Sequence, residues 1–179
     1  ASTTKLLTAA LAIQYTPEGY VFTVGNELSL VRDQSSKANL LTGDKLDLDK
    51  MLKALLIPSG NDAAYTIAAS IGRVTAGDES LSAADAVKKF VALMNQTAAE
   101  LGMTNTTFRN ACGLDTEGHL STARDVAVLS RYLLNTCPEL LHYTGIWTDS
   151  LRNGQTQLVN TNKLLRRYSG ITGLKTGTT

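Results

Sequence analysis

The sequence predicts one α+β domain with a mainly helical body and a few short strands. Several segments carry apolar residues at the spacing of an α-helix and are bounded by helix start and stop signals. Two short apolar runs separated by a turn sequence indicate strands. The 179 residues are 43% hydrophobic, and no internal repeat or low-complexity linker divides them. This amount of apolar sequence is enough for one core.

The first half of the chain contains three predicted helices and a predicted hairpin. Thr3–Gln14 has apolar side chains at helical spacing and is followed by TPEG, which ends it. YVFTV and LSLV, joined by a turn at Gly25–Glu27, are predicted strands. Helices are expected at Leu46–Ile57, which ends because Pro58 disfavours helical geometry in the residue before it, and at about Asp62–Ile71.

The second half begins with the longest predicted helix. Ser82 and Asp85 form a capping-box-like start for it, and Gly102 is placed to end it. A long loop, Met103–Leu120, precedes Ser121–Thr122, which are predicted to cap the next helix. Beyond that helix, QTQLVNTNKLL is predicted as strand and loop, and the final GITGLKTGTT as a turn entering a strand.

Charge and motif content argue against several functional classes. The 17 basic and 16 acidic residues give a net charge of +1, so the chain lacks the basic patch expected for nucleic-acid binding. No apolar run approaches the length of about 18 residues that spans a membrane. The chain lacks the motifs typical of metal, phosphate and Ser-His-Asp sites, namely HExxH, CxxC, GxGxxG, GxxxxGK[ST] and GxSxG. Because GxSxG is absent, any serine chemistry needs a base other than the usual histidine. Cys112 and Cys137 are interpreted as separate small apolar residues, with a disulfide left open.

The S-x-x-K sequence at the start of the first helix could hold a nucleophile and its base. Ser2 and Lys5 are three residues apart, which places their Cβ atoms about 5–6 Å apart on one helical face. A lysine can accept the serine proton only when neutral, and burial or a second cation lowers its pKa. Taken alone, the same pattern also fits Ser2 as a helix N-cap.

Two further motifs supply groups that such a pair would need. PSGND places Ser59 and Asn61 in a tight turn between two helices, from which a hydroxyl could relay protons and an amide could both donate and accept. KTGT at Lys175–Thr178 offers a second cation for Lys5, two hydroxyls, and a glycine that permits close approach of a ligand. Alone, the first motif also fits a helix cap and the second a surface turn.

In this order, S-x-x-K, S-x-N and K-T-G resemble the active-site set of the penicillin-recognising serine enzymes. The resemblance extends over nearly the whole chain through six segments: STTKLLTA, LLIPSGNDAA, FVALMNQTAAELGMTNTTF, GLDTEGHLSTARDVAVLSR, NTNKLL and GLKTGTT. They resemble serine-type D-alanyl-D-alanine carboxypeptidases, the low-molecular-mass penicillin-binding proteins. The resemblance implies a helical body packed on an antiparallel sheet, with a β-lactamase/transpeptidase-like fold. It implies no cofactor and no metal.

The resemblance also implies roles for three catalytic residues. Ser2 would attack the carbonyl between the two terminal D-alanines of a peptidoglycan stem peptide, and Lys5 would take its proton. D-Alanine would leave, and water would hydrolyse the remaining acyl-enzyme. Ser59 would pass protons between Lys5, Lys175 and the leaving amine. β-Lactams, which mimic the D-Ala-D-Ala end, would acylate Ser2 as inhibitors.

Substrate binding would use a second set of groups. Asn61 would hold the peptide amide and orient Lys5, and the backbone N–H groups of Ser2 and Thr178 would form the oxyanion hole. The substrate carboxylate would be held by the remaining three predicted residues, Lys175, Thr176 and Thr178. The resemblance implies an exported protein at the outer face of the cytoplasmic membrane or in the cell wall or periplasm. It implies no nucleic-acid partner, and membrane attachment only through segments outside residues 1–179.

The sequence also departs from the family pattern. The family places a strand before the nucleophile and further strands after KTG, so residues 1–179 are expected to form a single, partial catalytic domain with an incomplete sheet. Asp115 and His119, in the long loop, are expected to be structural.

Two alternatives are weighed against the carboxypeptidase. A class A β-lactamase would typically carry S-D-N, where this chain has Ser59-Gly60-Asn61, and a glutamate in E-x-x-x-N, which neither Glu100 nor Glu139 fits. A non-catalytic β-lactam sensor or peptidoglycan-binding module would share all three motifs.

Overall fold

The computed structural model describes residues 1–179 and contains six α-helices and two two-stranded antiparallel sheets. A 3-10 turn at Ser2–Thr4 leads directly into α1. Further 3-10 turns cover Asn26–Leu30 and Lys163–Arg166. The helices are α1 Lys5–Tyr15, α2 Leu48–Leu56, α3 Asn61–Ala76, α4 Ala83–Glu100, α5 Ala123–Thr136 and α6 Leu140–Gly145. The strands are β1 Phe22–Thr23, β2 Lys45–Leu46, β3 Thr148–Leu151 and β4 Thr156–Val159, paired as β1–β2 and β3–β4.

Helix α3 lies at the centre of the core, in contact with α1, α2 and α4. Its closest neighbour is α4, because Gly72 of α3 faces the backbone of Ala86 in α4. A Cβ atom at position 72 would overlap the Ala86 carbonyl, so the two helices can approach this closely only where α3 carries glycine. The resulting helical layer buries the first turns of both α1 and α3, which hold Lys5 and Asn61.

The helices begin and end largely where their capping residues predict. The Ser82 hydroxyl accepts a hydrogen bond from the Asp85 N–H, and the Thr122 hydroxyl accepts one from the Asp125 N–H. Gly102 follows α4 with φ +74, the left-handed conformation typical of a glycine after a helix. Helix α3 extends beyond the predicted Ile71 to Ala76. The predicted α+β class, the long loop 103–120 and the strand within QTQLV are confirmed.

The predicted hairpin of YVFTV and LSLV is wrong. β1 pairs with β2, which follows it by more than twenty residues, and the LSL segment lies in a 3-10 turn. The turn is held by Glu27, whose buried carboxylate accepts a hydrogen bond from the Gly25 N–H at 2.8 Å. This local bond folds the backbone into a compact turn where the hairpin would need an extended strand.

The predicted strand at the end of the chain is also absent. Residues 171–179 have no assigned secondary structure, and none of their backbone N–H groups joins a hydrogen-bonded ladder. A strand is defined by such pairing, and this segment instead packs against the first residues of the chain through Gly177. Cys112 and Cys137 are both buried and are not joined by a disulfide. None of the helices combines the length and the apolar character needed to cross a membrane.

Candidate active site

A polar surface cleft of about 300 Å³ brings together residues from both ends of the chain. Five of the seven predicted site residues line it: Ser2, Ser59, Asn61, Thr176 and Thr178. The remaining two, Lys5 and Lys175, lie behind this lining and contact it through hydrogen bonds. The cleft is also lined by Arg32, Gln34, Ser35, Ser36, Cys112, Gly113, Leu114, Asp115, Thr161 and Gly177.

Ser2 and Lys5 form a direct contact at the base of the cleft. The Lys5 Nζ atom lies 3.0 Å from the Ser2 Oγ atom and 2.7 Å from the backbone oxygen of Cys112, to which it donates. The 3-10 turn at Ser2–Thr4 followed by α1 places the two side chains on one face, as the three-residue spacing predicts. The side chain of Ser2 makes no cap hydrogen bond to the helix, so the alternative that Ser2 is a helix N-cap is wrong.

The environment of Lys5 favours a neutral amine. Lys5 has no exposed surface, and its burial lowers its pKa from 10.5 to about 8. The Cys112 thiol opposes this shift, the positive charge of Lys175 adds to it, and Asp62 opposes it. A pKa of about 8 leaves about one tenth of Lys5 neutral at pH 7. The neutral amine has a lone pair and can accept the Ser2 hydroxyl proton across the existing contact.

Ser59 presents a buried hydroxyl that has no hydrogen-bond partner in the protein. It follows α2 and has φ +63, which is the left-handed conformation that residues with a side chain rarely adopt. Ser59 is only 3% exposed and is one of the residues that line the cleft, and its buried Oγ atom bonds to neither Ser2 nor the two lysines. An unpaired buried hydroxyl costs free energy, about 1–3 kcal/mol, unless a ligand or water satisfies it.

Asn61 and Asp62 begin helix α3 and point to different neighbours. Asn61 is buried and lines the cleft, and its side chain makes no hydrogen bond within the protein. The hydrogen bonds of Lys5 go to Ser2 and to the Cys112 carbonyl, not to Asn61. The Asp62 carboxylate accepts hydrogen bonds from the backbone N–H groups of Ala38 and Leu40, which holds the loop after residue 36 against α3.

The KTGT segment forms the opposite wall of the cleft. Burial lowers the pKa of Lys175 to about 8, and its Nζ atom donates to the Thr176 backbone oxygen at 3.2 Å. The Thr161 hydroxyl, 3.4 Å from the Lys175 Nζ atom, also bonds to the Thr176 hydroxyl. The N–H of Thr178 donates to no protein acceptor, so it remains available to a ligand.

Two glycines allow the walls of the cleft to approach the backbone of Ala1 and Ser2 closely. A Cβ atom at Gly177 would lie 2.8 Å from the Ala1 Cβ atom and 3.3 Å from the Ser2 backbone nitrogen. A Cβ atom at Gly113, which has φ +85, would overlap the Ala1 carbonyl. In the structure the glycine of KTGT allows close approach of the backbone beside Ser2, and its close approach to a ligand stays a prediction.

The two loop residues expected to be structural differ in their placement. His119 accepts a hydrogen bond from the Arg109 N–H on Nδ1, and its Nε2 atom lies 3.0 Å from the Thr4 hydroxyl. These contacts connect the long loop to the turn that carries Ser2, which is a structural role. Asp115 instead lines the cleft and makes no hydrogen bond through its carboxylate.

Sequence reasoning missed the Cys112 carbonyl and the polar rim formed by Arg32 and Gln34–Ser36. No motif could reveal the carbonyl, because every residue has one and only the fold selects it. The rim does have a signal, since RDQSS is a polar run between two apolar segments, but such runs are also typical of ordinary loops. No group of three or more His, Cys, Asp or Glu side chains is arranged to hold a metal ion.

Comparison with known protein families gives a match over the whole chain. The family model described as "D-alanyl-D-alanine carboxypeptidase" matches residues 1–179. The D-alanyl-D-alanine carboxypeptidase DacF of Bacillus subtilis is 34% identical over 186 residues, which cover 100% of this chain and 44% of that protein. The D-alanyl-D-alanine carboxypeptidase of Streptomyces sp. strain K15 is 34% identical over 188 residues, which cover 98% of this chain and 62% of that protein.

Solved structures give the same fold. The DD-transpeptidase of Streptomyces K15 superposes with a TM-score of 0.84 at 29% identity, covering 99% of this chain and 70% of that one. Penicillin-binding protein 6B of Escherichia coli superposes with a TM-score of 0.82 at 30% identity, covering 100% of this chain and 55% of that one. The transpeptidase-like fold implied by the resemblance is therefore confirmed.

Proposed function

The chain belongs to the D-alanyl-D-alanine carboxypeptidase family, and on that premise we propose that it removes the terminal D-alanine from peptidoglycan stem peptides. The observation that carries the proposal is the Lys5 amine, which is buried, has a pKa near 8 and lies 3.0 Å from the Ser2 hydroxyl. A helix cap needs none of these features. A serine nucleophile that carries its own base needs all three.

Acylation would begin with attack of the Ser2 oxygen on the carbonyl carbon between the two D-alanines. Neutral Lys5 takes the hydroxyl proton, and the N–H groups of Ser2 and Thr178 stabilise the negative oxygen that develops. The carbon–nitrogen bond then breaks, and the leaving amine receives a proton through Ser59 from Lys5. D-Alanine departs, and the remaining peptide is held as an ester on Ser2.

Deacylation would use the same groups in reverse. Lys5, neutral again, takes a proton from water, the water oxygen attacks the ester carbonyl, and Ser2 recovers its proton. The unpartnered Ser59 hydroxyl supports its place in this relay, because it is buried beside the cleft and has no competing partner. A β-lactam would follow the first half only, since its cleaved amide stays tethered to the acyl group and blocks the water.

Substrate binding is proposed for Asn61 and for three residues of the KTGT segment. Asn61, whose side chain has no partner in the protein, would hold the peptide amide. The substrate carboxylate would lie against Lys175, Thr176 and Thr178, because the two threonines line the cleft and the partly desolvated Lys175 ammonium lies directly behind them. We also propose that the protein is exported and acts in the cell wall or periplasm, where stem peptides are found.

The test is to incubate the protein with a fluorescent penicillin, locate the modified residue by mass spectrometry and assay D-alanine release from a D-Ala-D-Ala peptide. We expect a long-lived adduct on Ser2 together with D-alanine release. Ser2→Ala should lose both, whereas Ser130→Ala, which removes a hydroxyl bonded only to the Val126 carbonyl in α5, should keep both.

Three outcomes would contradict the proposal. An adduct on Ser2 without D-alanine release would favour the sensor. Rapid loss of the adduct with penicillin turnover would favour a β-lactamase, although no glutamate lines the cleft to activate water. Absence of any adduct would contradict the assignment of Ser2 as a nucleophile.

A further inference from the structure

The Asn110 side chain organises the loop behind the nucleophile. Asn110 is 7% exposed, and both the oxygen and the nitrogen of its side-chain amide form hydrogen bonds. The Oδ1 atom accepts hydrogen bonds from the N–H groups of Cys112 at 3.2 Å and Gly113 at 2.7 Å. The Nδ2 atom donates to the Leu114 carbonyl at 2.8 Å and to the Thr116 hydroxyl at 3.0 Å. One side chain therefore holds the backbone of residues 110–116 in a closed turn.

This turn directs two successive carbonyls at helix α1. The Ala111 carbonyl accepts a hydrogen bond from the Thr8 hydroxyl at 2.6 Å. The Cys112 carbonyl accepts one from the Lys5 Nζ atom at 2.7 Å. Thr8 and Lys5 are three residues apart and lie on one face of the helix, so the turn contacts that face twice.

The Cys112 carbonyl restricts the direction in which the Lys5 amine can act. A carbonyl oxygen only accepts hydrogen bonds, so it must face an N–H bond of Lys5 in both the charged and the neutral state. With one N–H fixed toward Cys112, rotation of the amine about its last bond is limited, and the lone pair of the neutral form can be directed at the Ser2 oxygen. Nothing else in the protein accepts from Lys5 apart from Ser2 itself.

We infer that Asn110 is a positioning residue for the Lys5 base, acting through the Cys112 carbonyl. The inference rests on the proposed function, since it assigns to Asn110 the orientation of the group that activates Ser2. Asn110 does not itself touch Lys5, Ser2 or the space where substrate would lie. It fixes the backbone that does, and neither S-x-x-K, S-x-N nor K-T-G contains it.

The charged and titratable groups around Lys5 set its pKa, and a change in that pKa can be measured. Lys175, from the KTGT segment, opposes the charge on Lys5, while Asp62 of α3 and the Cys112 thiol of the loop favour it. The Cys112 carbonyl also favours the charged form, because it binds an ammonium more strongly than an amine. Losing that carbonyl should therefore lower the pKa of Lys5 while also misdirecting its lone pair.

The experiment compares Asn110→Ala with the intact chain in two measurements. The first follows the Lys5 Cε resonance by NMR across the pH range, with Lys5→Arg to assign it. The second is the pH profile of acylation by benzylpenicillin. We expect Lys5 to titrate at lower pH in Asn110→Ala, and the acylation rate constant to fall about 10- to 100-fold because the base is misplaced. In the pH profile of the acylation rate constant, the rise on the acidic side should move to lower pH and the plateau should fall. Partial unfolding would lower the plateau without moving the rise to lower pH.

Two further variants, a matched control and a partial rescue, are compared with Asn110→Ala. Asn95→Ala removes a comparable amide on α4, whose Oδ1 atom accepts from the Phe108 N–H and whose Nδ2 atom donates to the carbonyls of Phe108, in the same loop, and of Val91. It should lower the melting temperature without moving the Lys5 titration. Asn110→Ser keeps a short-range acceptor for the N–H two residues on and should give intermediate values, and it replaces Asn110→Ala if that variant does not fold.

The two proposals can fail separately. If the wild type forms no adduct on Ser2 but Lys5 titrates at lower pH in Asn110→Ala, the proposed function fails and the positioning by Asn110 stands. If the wild type is acylated and Lys5 titrates identically in wild type, Asn110→Ala and Asn110→Ser, the positioning is overturned. A Lys5 titration at higher pH in Asn110→Ala would overturn it as well.

Discussion

Lys5 places an ionisable amine in the interior of the molecule, where its charged form is poorly solvated. Its only hydrogen bonds go to the Ser2 hydroxyl and the Cys112 carbonyl, and no carboxylate forms an ion pair with it. The pKa of about 8, against 10.5 in the unfolded chain, means that folding is opposed while Lys5 is protonated. The residue that we propose activates Ser2 therefore lowers the stability of the fold.

This cost predicts a pH-dependent difference between the wild type and Lys5→Met. Below about pH 8 both the folded and the unfolded wild type hold the Lys5 proton, and the full cost, up to about 3 kcal/mol, applies. Between about pH 8 and 10.5 only the unfolded chain holds the proton, so the free energy of unfolding of the wild type rises. Urea unfolding at several pH values should show the stability advantage of Lys5→Met shrinking across this range.

Lys53→Met is the control for this prediction. Hydrogen bonds with Asp49 and Asp149 raise the pKa of Lys53 above its ordinary value, so Lys53 stays charged in both the folded and the unfolded chain over the pH range of this comparison. Its replacement should lower stability by the same amount at pH 7 and pH 9. A constant difference between wild type and Lys5→Met over this range would show that Lys5 is not titrating as the structure implies.

The residues of the site were largely predictable from sequence because side-chain chemistry repeats at fixed spacings. Ser2 and Lys5 are neighbours along one helix, so their contact follows from local geometry. The Cys112 carbonyl is 107 residues from Lys5 along the chain, and a backbone atom carries no signature of residue type. The orientation of the base was therefore outside the reach of sequence reasoning.

At the scale of elements, the close contact of α3 and α4 depends on Gly72. A methyl group there would overlap the Ala86 carbonyl, and two packed helices cannot move apart without opening the core around them. Gly72→Ala should therefore destabilise the protein by about 2–3 kcal/mol, although alanine is the better helix former. Thermal unfolding should show a melting temperature lower by about 5–10 °C.

Gly145→Ala provides the comparison within another helix. Its new Cβ atom would meet only the Thr172 carbonyl at an ordinary 3.8 Å, so the melting temperature should stay the same or rise slightly. Equal losses at the two positions would mean that the effect comes from the glycine backbone and not from the contact between α3 and α4.

The helices were predictable because their boundaries are local. Ser82 and Thr122 lie within one turn of the N–H groups that they cap. The β1–β2 pairing was not predictable, since its partners are separated by more than twenty residues and each strand has two residues. The segment between β1 and β2 forms a 3-10 turn because the buried Glu27 carboxylate accepts a hydrogen bond from the Gly25 N–H. The sequence alone does not show that this glutamate is buried.

At the scale of the whole molecule, Arg152 ties the β3–β4 hairpin to the loop before β2. Its guanidinium donates to the Asp44 carboxylate at 2.5 Å, to the Asn39 carbonyl at 2.6 Å and to the Thr156 hydroxyl at 2.7 Å. Asp44 and Arg152 are 108 residues apart, and both side chains are largely buried. This contact joins two segments that are far apart along the chain, and nothing in the local sequence around either residue indicates it.

Arg152→Met should lower stability by about 1–3 kcal/mol, because it leaves the Asp44 carboxylate partly buried without its cation. Chemical denaturation measures the loss, and acylation of Ser2 per folded molecule should be unchanged. Lys88→Met is the control, since its ion pair with Asp85 is exposed and contributes little. An equal loss in both variants would contradict a structural role for the Arg152 contacts.

Ser59 holds two unfavourable features at once, a left-handed backbone and a buried hydroxyl without a partner. Glycine at this position would relieve both, because it adopts positive φ freely and has no hydroxyl to satisfy. In a library of variants selected only for heat resistance, glycine should therefore accumulate at position 59. If Ser59 relays protons as proposed, the selected lineages would lose turnover as they gain heat resistance, so the two properties would evolve in opposite directions at this single codon.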